Sequence, residues 1–319
     1  MSPYGVAFRA NVGTANRWLV ASRVGASYGP QTIMNSSLSN HRPGAANDPM
    51  DLAIERAALI VAASTHCIAL TGAGISAESG IPTYRGKDGL WTKHGEPPMN
   101  QYQQFAADPA GWWQQLKERR ENPDELAAAL REATPNDGHF ALVELERMGV
   151  LRHTITQNID GLHGLAGSQH LTEIHGNTQR LRCTECHTRR PFDEVPEELP
   201  PRCDACGGLV KTDTVMFGEP IPRDALLSCA EQASQADCLL LVGTTAVVTP
   251  AADFAWDVLS RGHPLIEINL DPTVISDRCE VAIHAPAGEV VSRIVDAVQR
   301  RLAERTENAL DGERSDVQA

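Results

Sequence analysis

Thr71-Gly72-Ala73-Gly74-Ile75-Ser76-Ala77-Glu78-Ser79-Gly80-Ile81-Pro82 follows the apolar run Cys67-Ile68-Ala69-Leu70. A short apolar run closed by glycine predicts a buried parallel strand. Gly72-x-Gly74-x-x-Ala77 then fits the turn by which such a strand feeds a helix under a dinucleotide. The first glycine permits the tight turn, the second lets backbone amides approach a pyrophosphate, and the helix start favours its charge. A glycine turn serving packing alone stays open on this stretch. A hydride-transferring enzyme continues into a second strand ending in an acid about 20 residues on. Here Ile81-Pro82-Thr83-Tyr84-Arg85-Gly86 reads as a loop, which counts against a dehydrogenase.

Working outward, Asp48-Pro49 reads as N-cap and first helical position of a helix to about Ala63, with Leu52, Leu59 and Ile60 on one face. Strands are expected at Leu151–Thr156, Cys238–Val242 and Leu265–Asn269, and helices at Asp224–Gln235, Pro250–Leu259 and Glu289–Leu302. Strands alternating with helices predict an α/β fold, a Rossmann-like, doubly wound parallel sheet. Ligands bind such sheets beyond the carboxyl ends of the strands. The glycine turn, Thr156-Gln157-Asn158-Ile159-Asp160, Gly243-Thr244-Thr245 and Asn269-Leu270-Asp271 all fall there. Residues 85–135 and 176–214 interrupt the alternation and are expected to form a smaller lobe. The larger lobe then comprises 49–84, 136–175 and 215–303. Residues 1–48, whose only acid is Asp48, read as a disordered arm ahead of an alternative start at Met50, and 306–319 as a flexible tail.

Cys183-x2-Cys186 and Cys203-x2-Cys206, sixteen residues apart, have the spacing of a four-thiolate zinc site. Four thiolates complete a tetrahedral shell and leave no position for water, so the site is expected to be structural. A zinc ribbon gripping nucleic acid competes, but its flanks carry about as many acids as bases. Cys67, Cys229, Cys238 and Cys279 read as small buried hydrophobes. A net charge of −13 disfavours nucleic-acid binding, and no run is long enough to cross a bilayer, so a cytoplasmic protein with no nucleic-acid or membrane partner is expected. Four lysines stand against 24 arginines, which we attribute to genomic base composition.

His175 ends an expected strand just before the cysteine module and is the best general base available, because imidazole titrates near working pH. A merely satisfied polar residue is the bland alternative, and His139 and His163 read as structural. Asn158 and Asp160 suit hydrogen bonds to a ribose or carboxamide, or a plain Asx-capped turn. Val215-Met216-Phe217-Gly218-Glu219 offers an apolar strand, or core packing.

Together, Gly72 to Pro82, Arg85-Gly86, Thr156 to His163, Glu173-Ile174-His175-Gly176, the cysteine quartet, Phe217-Gly218-Glu219, Gly243-Thr244-Thr245 and Asn269-Leu270-Asp271 resemble, in order, the sirtuins of bacterial type, NAD-dependent protein-lysine deacylases. The resemblance spans roughly residues 51–303. It implies that Gly72, Ala73, Gly74, Ser76, Ser79, Pro82, Tyr84, Arg85 and Trp91 wrap the pyrophosphate and nicotinamide side of NAD. Gln157, Asn158, Ile159 and Asp160 would hold nicotinamide and ribose, and Gly243, Thr244, Thr245, Asn269, Leu270, Asp271 and Ala287 the adenosine half. His175, with Asn158, would carry catalysis. Val215, Phe217, Gly218 and Glu219 would receive the acyl-lysine of a protein substrate, and one structural Zn2+ would sit on Cys183, Cys186, Cys203 and Cys206.

Three departures bear on this. Tyr84 stands where phenylalanine is usual, and Thr245 where serine is common. Some bacterial relatives carry Tyr-x-x-Arg for succinyl or malonyl groups, where this chain aligns Leu116 and Arg119; half a clamp implies a preference for acetyl or other uncharged acyl groups. The same cofactor site would also serve ADP-ribosyl transfer to protein or NAD hydrolysis. A non-catalytic NAD or ADP-ribose module is a third reading, disfavoured by the retained His175 and Asn158.

Overall fold

The computed structural model describes residues 32–33, 48–87 and 89–317, with side chains for 48–87 and 89–308. The strands are β1 Thr32–Ile33, β2 Cys67–Thr71, β3 Leu151–Thr156, β4 Leu171–Glu173, β5 Arg180–Cys183, β6 Arg189–Pro191, β7 Val210–Thr212, β8 Cys238–Val242, β9 Leu265–Ile268 and β10 Val281–Ile283. The helices are α1 Pro49–Ala63, α2 Leu90–His94, α3 Gln101–Ala107, α4 Pro109–Glu121, α5 Glu125–Glu132, α6 Asp137–Arg147, α7 Leu162–Ala166, α8 Arg223–Gln235, α9 Ala251–Ser260 and α10 Ala287–Val317.

Among the described residues the main sheet is parallel throughout, in the order β1-β10-β9-β8-β2-β3-β4. Successive side chains alternate between its faces. Cys67, Ala69, Leu240, Val242, Ile266 and Ile268 meet α1, α6 and α10 on one side. Ile68, Leu70, Leu239, Leu241 and Leu265 meet α8 and α9 on the other. Cys67, Cys229, Cys238 and Cys279 are buried in these two layers. Burial pushes the Cys229 and Cys279 thiols up to about 12, so they pack as apolar groups.

Asp48 caps α1 as its type requires, its carboxylate accepting the Met50 amide. The buried face differs from the one expected. Leu52 and Leu59 are 56% and 40% exposed, whereas Ile54, Ala57, Ala58 and Val61 are buried. Alanine lets the helix lie close to the sheet and to α10, and a face read from large apolar residues alone misses it.

Two further expectations are corrected at the ends of the chain. Thr32–Ile33, within the arm read as disordered, pairs with Ala282 and Ile283 as an edge strand, the open β10 edge supplying unpaired backbone groups. Residues 1–31 and 34–47 lie outside the described residues. The last helix does not stop near Leu302 but runs to Val317 through the stretch read as a flexible tail. Alanine, glutamate and arginine are strong helix formers. Arg300 and Arg301 also fasten it to Glu55 at 2.7 Å each, and Arg305 donates to the Ala62 carbonyl at 2.7 Å.

The two interruptions make one smaller lobe. β6-β5-β7 form an antiparallel sheet carrying the cysteines, and α2 to α5 form the helical excursion. Trp113 of α4 is fully buried against Leu181, Phe192 and Val210, and its indole donates to the Val210 carbonyl at 2.9 Å.

Candidate active site

The turn after β2 is built by backbone contact. Gly72 N donates to Val242 O, and Gly74 N to Gly243 O at 2.8 Å. A Cβ on Gly74 would lie 2.6 Å from the Gly243 Cα, and one on Gly243, itself at φ +62°, would lie 2.3 Å from the Ile75 amide. Gly74 therefore earns its place by letting the β2 and β8 turns touch, a packing role beside the pyrophosphate role read from spacing. The following Ala73–Ser79 segment is a short 3-10 helix, where the motif suggested an α-helix.

Around this turn the carboxyl ends of β2, β3 and β8 are knitted by side chains. Asn158 donates to Gly72 O at 3.1 Å and Ser76 Oγ at 3.0 Å, and Gln157 donates to Thr244 Oγ1 at 2.8 Å. Ser76 Oγ donates to Asp160 at 2.7 Å, and the Leu162 amide donates to the other Asp160 oxygen. Burial pushes the Asp160 carboxyl up, with these donors opposing it. Below lies a polar layer not read from the sequence as a unit: His163 Nε2 meets Thr71 Oγ1 at 2.9 Å, and Thr71 donates to Thr156. Because the Thr71 proton is committed to Thr156, His163 Nε2 is the donor in the first bond. Asn136 was also missed. It caps α6 with His139 in a reciprocal capping box and donates to Ile75 O and Ser79 Oγ. Asn136-x-x-His139 was its signal in the sequence.

His175 sits just beyond β4. Its Nδ1 is 3.1 Å from the Gln157 carbonyl. A carbonyl only accepts, so Nδ1 carries the proton and Nε2 keeps its lone pair. Burial lowers the His175 pKa, the carbonyl partly opposing. Gly176, at φ +76°, follows because a Cβ there would stand 2.0 Å from Asp213 O. Val215 N donates to His175 O at 2.8 Å, which ties the loop after β7 to the backbone of His175.

Tyr84, Trp91 and Phe217 form a row, with ring centroids 5.3 and 5.8 Å apart, and the Arg85 guanidinium lies 4.3 Å over Trp91. This row joins the loop after Pro82 to the Val215–Gly218 segment. Burial and the Asp160 charge both raise the Tyr84 pKa, so its hydroxyl stays protonated. Ala287 opens α10, where Gly288 N donates to Glu78 at 2.9 Å. Asn269, Leu270 and Asp271 follow β9, and Leu270 is exposed.

One grouping changes. Glu219, placed with the substrate residues, turns its carboxylate inward to Arg182 at 2.6 Å and Lys211 at 3.1 Å and accepts the Met216 amide. Its buried carboxylate shapes the loop. Cavities of about 410 and 320 Å³ lie elsewhere, the larger at the amino ends of β2 to β4 among His66, Arg152 and His170.

The four cysteine Sγ atoms all lie within 4.8 Å of one another, Cys183 and Cys206 at 3.5 Å and Cys186 and Cys203 at 3.6 Å. Four thiolates about 2.3 Å from a central zinc stand about 3.8 Å apart, so the donor set fits that ion.

The sequence model of the Sir2 family matches residues 72–250, more than half of the chain and the whole stretch from glycine turn to β8 turn. The chain belongs to the Sir2 family. It is 45% identical over 251 residues to NAD-dependent protein deacylase 2 of Pyrobaculum aerophilum, covering 79% of this chain and 97% of that protein. It is 42% identical over 255 residues to the NAD-dependent protein deacylase of Pyrococcus abyssi, covering 78% and 99%. Among solved Sir2 structures, one of a homologue with NAD aligns at 40% identity and TM-score 0.67 over 82% of this chain and 98% of that one. Another, of a Sir2 protein bound to a myristoylated histone peptide, aligns at 34% identity and TM-score 0.58 over 80% and 99%. The Sir2 architecture thus accounts for both lobes seen here.

Proposed function

We propose that this chain is an NAD-dependent protein-lysine deacylase that converts an acyl-lysine, NAD and water to lysine, nicotinamide and O-acyl-ADP-ribose. The observation that carries it is the His175 imidazole, held as the Nε2-basic tautomer by the Gln157 carbonyl, in a chain that aligns with a Sir2 homologue solved with NAD.

An amide oxygen is a weak nucleophile, so the residues must supply position and charge. Asn158, Asp160 and the Gly72–Ser79 turn would hold the nicotinamide ribose, with the Asp160 carboxylate favouring positive charge on the sugar carbon as nicotinamide leaves. Val215 and Phe217 would guide the acyl-lysine so that its carbonyl oxygen bonds to that carbon. His175 Nε2 would then take a ribose hydroxyl proton, letting the 2′-oxygen attack the imidate carbon; the protonated lysine amine would leave and water would add in its place, releasing O-acyl-ADP-ribose. Gly243–Thr245, Asn269–Asp271 and Ala287 would serve the adenosine half.

Zinc on Cys183, Cys186, Cys203 and Cys206 would be structural, since the quartet leaves no open position. Leu116 packs with the Trp113 cluster and Arg119 is exposed, so neither builds a carboxylate clamp, and acetyl or other uncharged acyl groups are the expected substrates. No described helix is long and apolar enough to cross a membrane. We place the enzyme in the cytoplasm, where thiolate ligands stay reduced. NAD labelled on its adenosine half separates this reading from ADP-ribosyl transfer: label should stay in small molecules and nicotinamide should leave only with acyl-peptide. Label retained on protein would favour transfer.

A further inference from the structure

Arg182 and Lys211 face each other across β5 and β7, and they are 3% and 0% exposed. Two cations in cross-strand register repel, and a buried charge is tolerated only when paired. Their partners all lie at the end of β7 and on the segment that leaves it. Lys211 Nζ donates to the Thr212 and Thr214 carbonyls at 2.8 and 2.7 Å and meets Glu219 at 3.1 Å. Arg182 donates to Asp213 at 2.9 Å and to Glu219 at 2.6 Å. Asp213 also meets Arg189 at 3.1 Å and Arg180 at 3.3 Å. Glu219 closes the loop on itself through the Met216 amide at 2.9 Å.

The cysteine quartet needs none of these bonds to close around an ion. A buried ionic cluster is also a poor stabiliser, since well-packed apolar residues of equal volume do as well or better. What the cluster does fix is location: it fastens the rigid cysteine-bearing sheet to residues 212–219. That segment pairs with His175 through Val215 and carries Phe217 onto Trp91.

We propose that Lys211, with Glu219 and Arg182, is a positioning device that sets where the Val215–Gly218 loop stands relative to His175, and hence how an acyl-lysine is registered for reaction. This rests on the deacylase reading above. The same knot makes the cysteine module part of substrate placement as well as of stability.

Removing one buried partner strands the other, so the informative variant is the double one, Lys211→Met with Glu219→Gln. It discharges both groups together and leaves an acceptor for the Met216 amide; Glu219→Gln alone is the milder companion. In steady-state kinetics with acetyl-lysine peptide and NAD, the double variant should raise the peptide KM about tenfold or more, because small displacements at a reacting centre are costly. Its KM for NAD should stay within about twofold, and zinc should remain at one ion per chain. An unchanged peptide KM in both variants would overturn the proposal, as would a rise in both KM values accompanied by loss of zinc, the mark of simple unfolding. Wild-type enzyme that fails to turn over acyl-peptide would remove the deacylase reading and this proposal together, whereas active wild type with unaffected variants removes the positioning device alone.

Discussion

A carbonyl can only accept, and that one fact about Gln157 O gives His175 its chemistry: the proton is held on Nδ1 and the lone pair left on Nε2. Replacement His175→Ala should lower kcat by about 10²- to 10⁴-fold, the range for losing a general base, while calorimetric NAD affinity stays nearly unchanged. Near-normal kcat would remove the assignment. His139 and His163 act oppositely, as neutral fillers. They are 0% and 1% exposed, and burial holds their pKa values at about 4 and about 3. An unfolded histidine titrates near about 6.5, so below that pH the unfolded chain binds protons that the folded chain excludes. Their stabilising contribution is complete above about pH 6.5 and falls as pH drops toward about 4, by about 1.4 kcal/mol per pH unit for each histidine. Urea unfolding across that window should show this loss, and the His163→Asn variant should show a shallower one; identical slopes would contradict it.

At the scale of elements, the sequence was most legible where one interaction decides. The Asp48-Pro49 start of α1, the β2 and β8 strands and the cysteine spacing are local signals, and each stands where the sequence placed it. Less legible were features set by distant neighbours. The buried face of α1 is chosen by the closeness of α10 and the sheet, so alanines fill it. Glu219 looked like part of a substrate strand, but its partners, Arg182 and Lys211, lie up to 37 residues away in sequence and only topology unites them. Gly74 is the instructive mixture: the fingerprint was legible, its contact with the β8 turn was not. Gly74→Ala must push backbone from backbone, so it should destabilise the protein by about 1–3 kcal/mol, as overpacked sites do. Thermal unfolding of the apo-enzyme tests this, since a defect seen only in NAD binding would return the glycine to a purely cofactor role.

Across the described residues, the main sheet and the cysteine-bearing lobe meet in contacts that include the row Tyr84, Trp91 and Phe217 and the backbone pair of Val215 and His175. The order of motifs made the two lobes legible, because each interruption of the strand-helix alternation has its own composition. The Trp113 cluster that unites the two interruptions, and the Lys211 knot that ties them to the 212–219 loop, were not, since both depend on side chains brought together only by folding. We propose that an acyl group passes from lysine to the ribose of NAD beside these contacts. Mass spectrometry of the protein incubated with an acetyl-lysine peptide and NAD tests it most directly. The account predicts equal yields of free peptide, nicotinamide and a product with the mass of ADP-ribose plus one acetyl group. Free acetate formed without consumption of NAD, or ADP-ribose recovered on protein in place of that product, would contradict it.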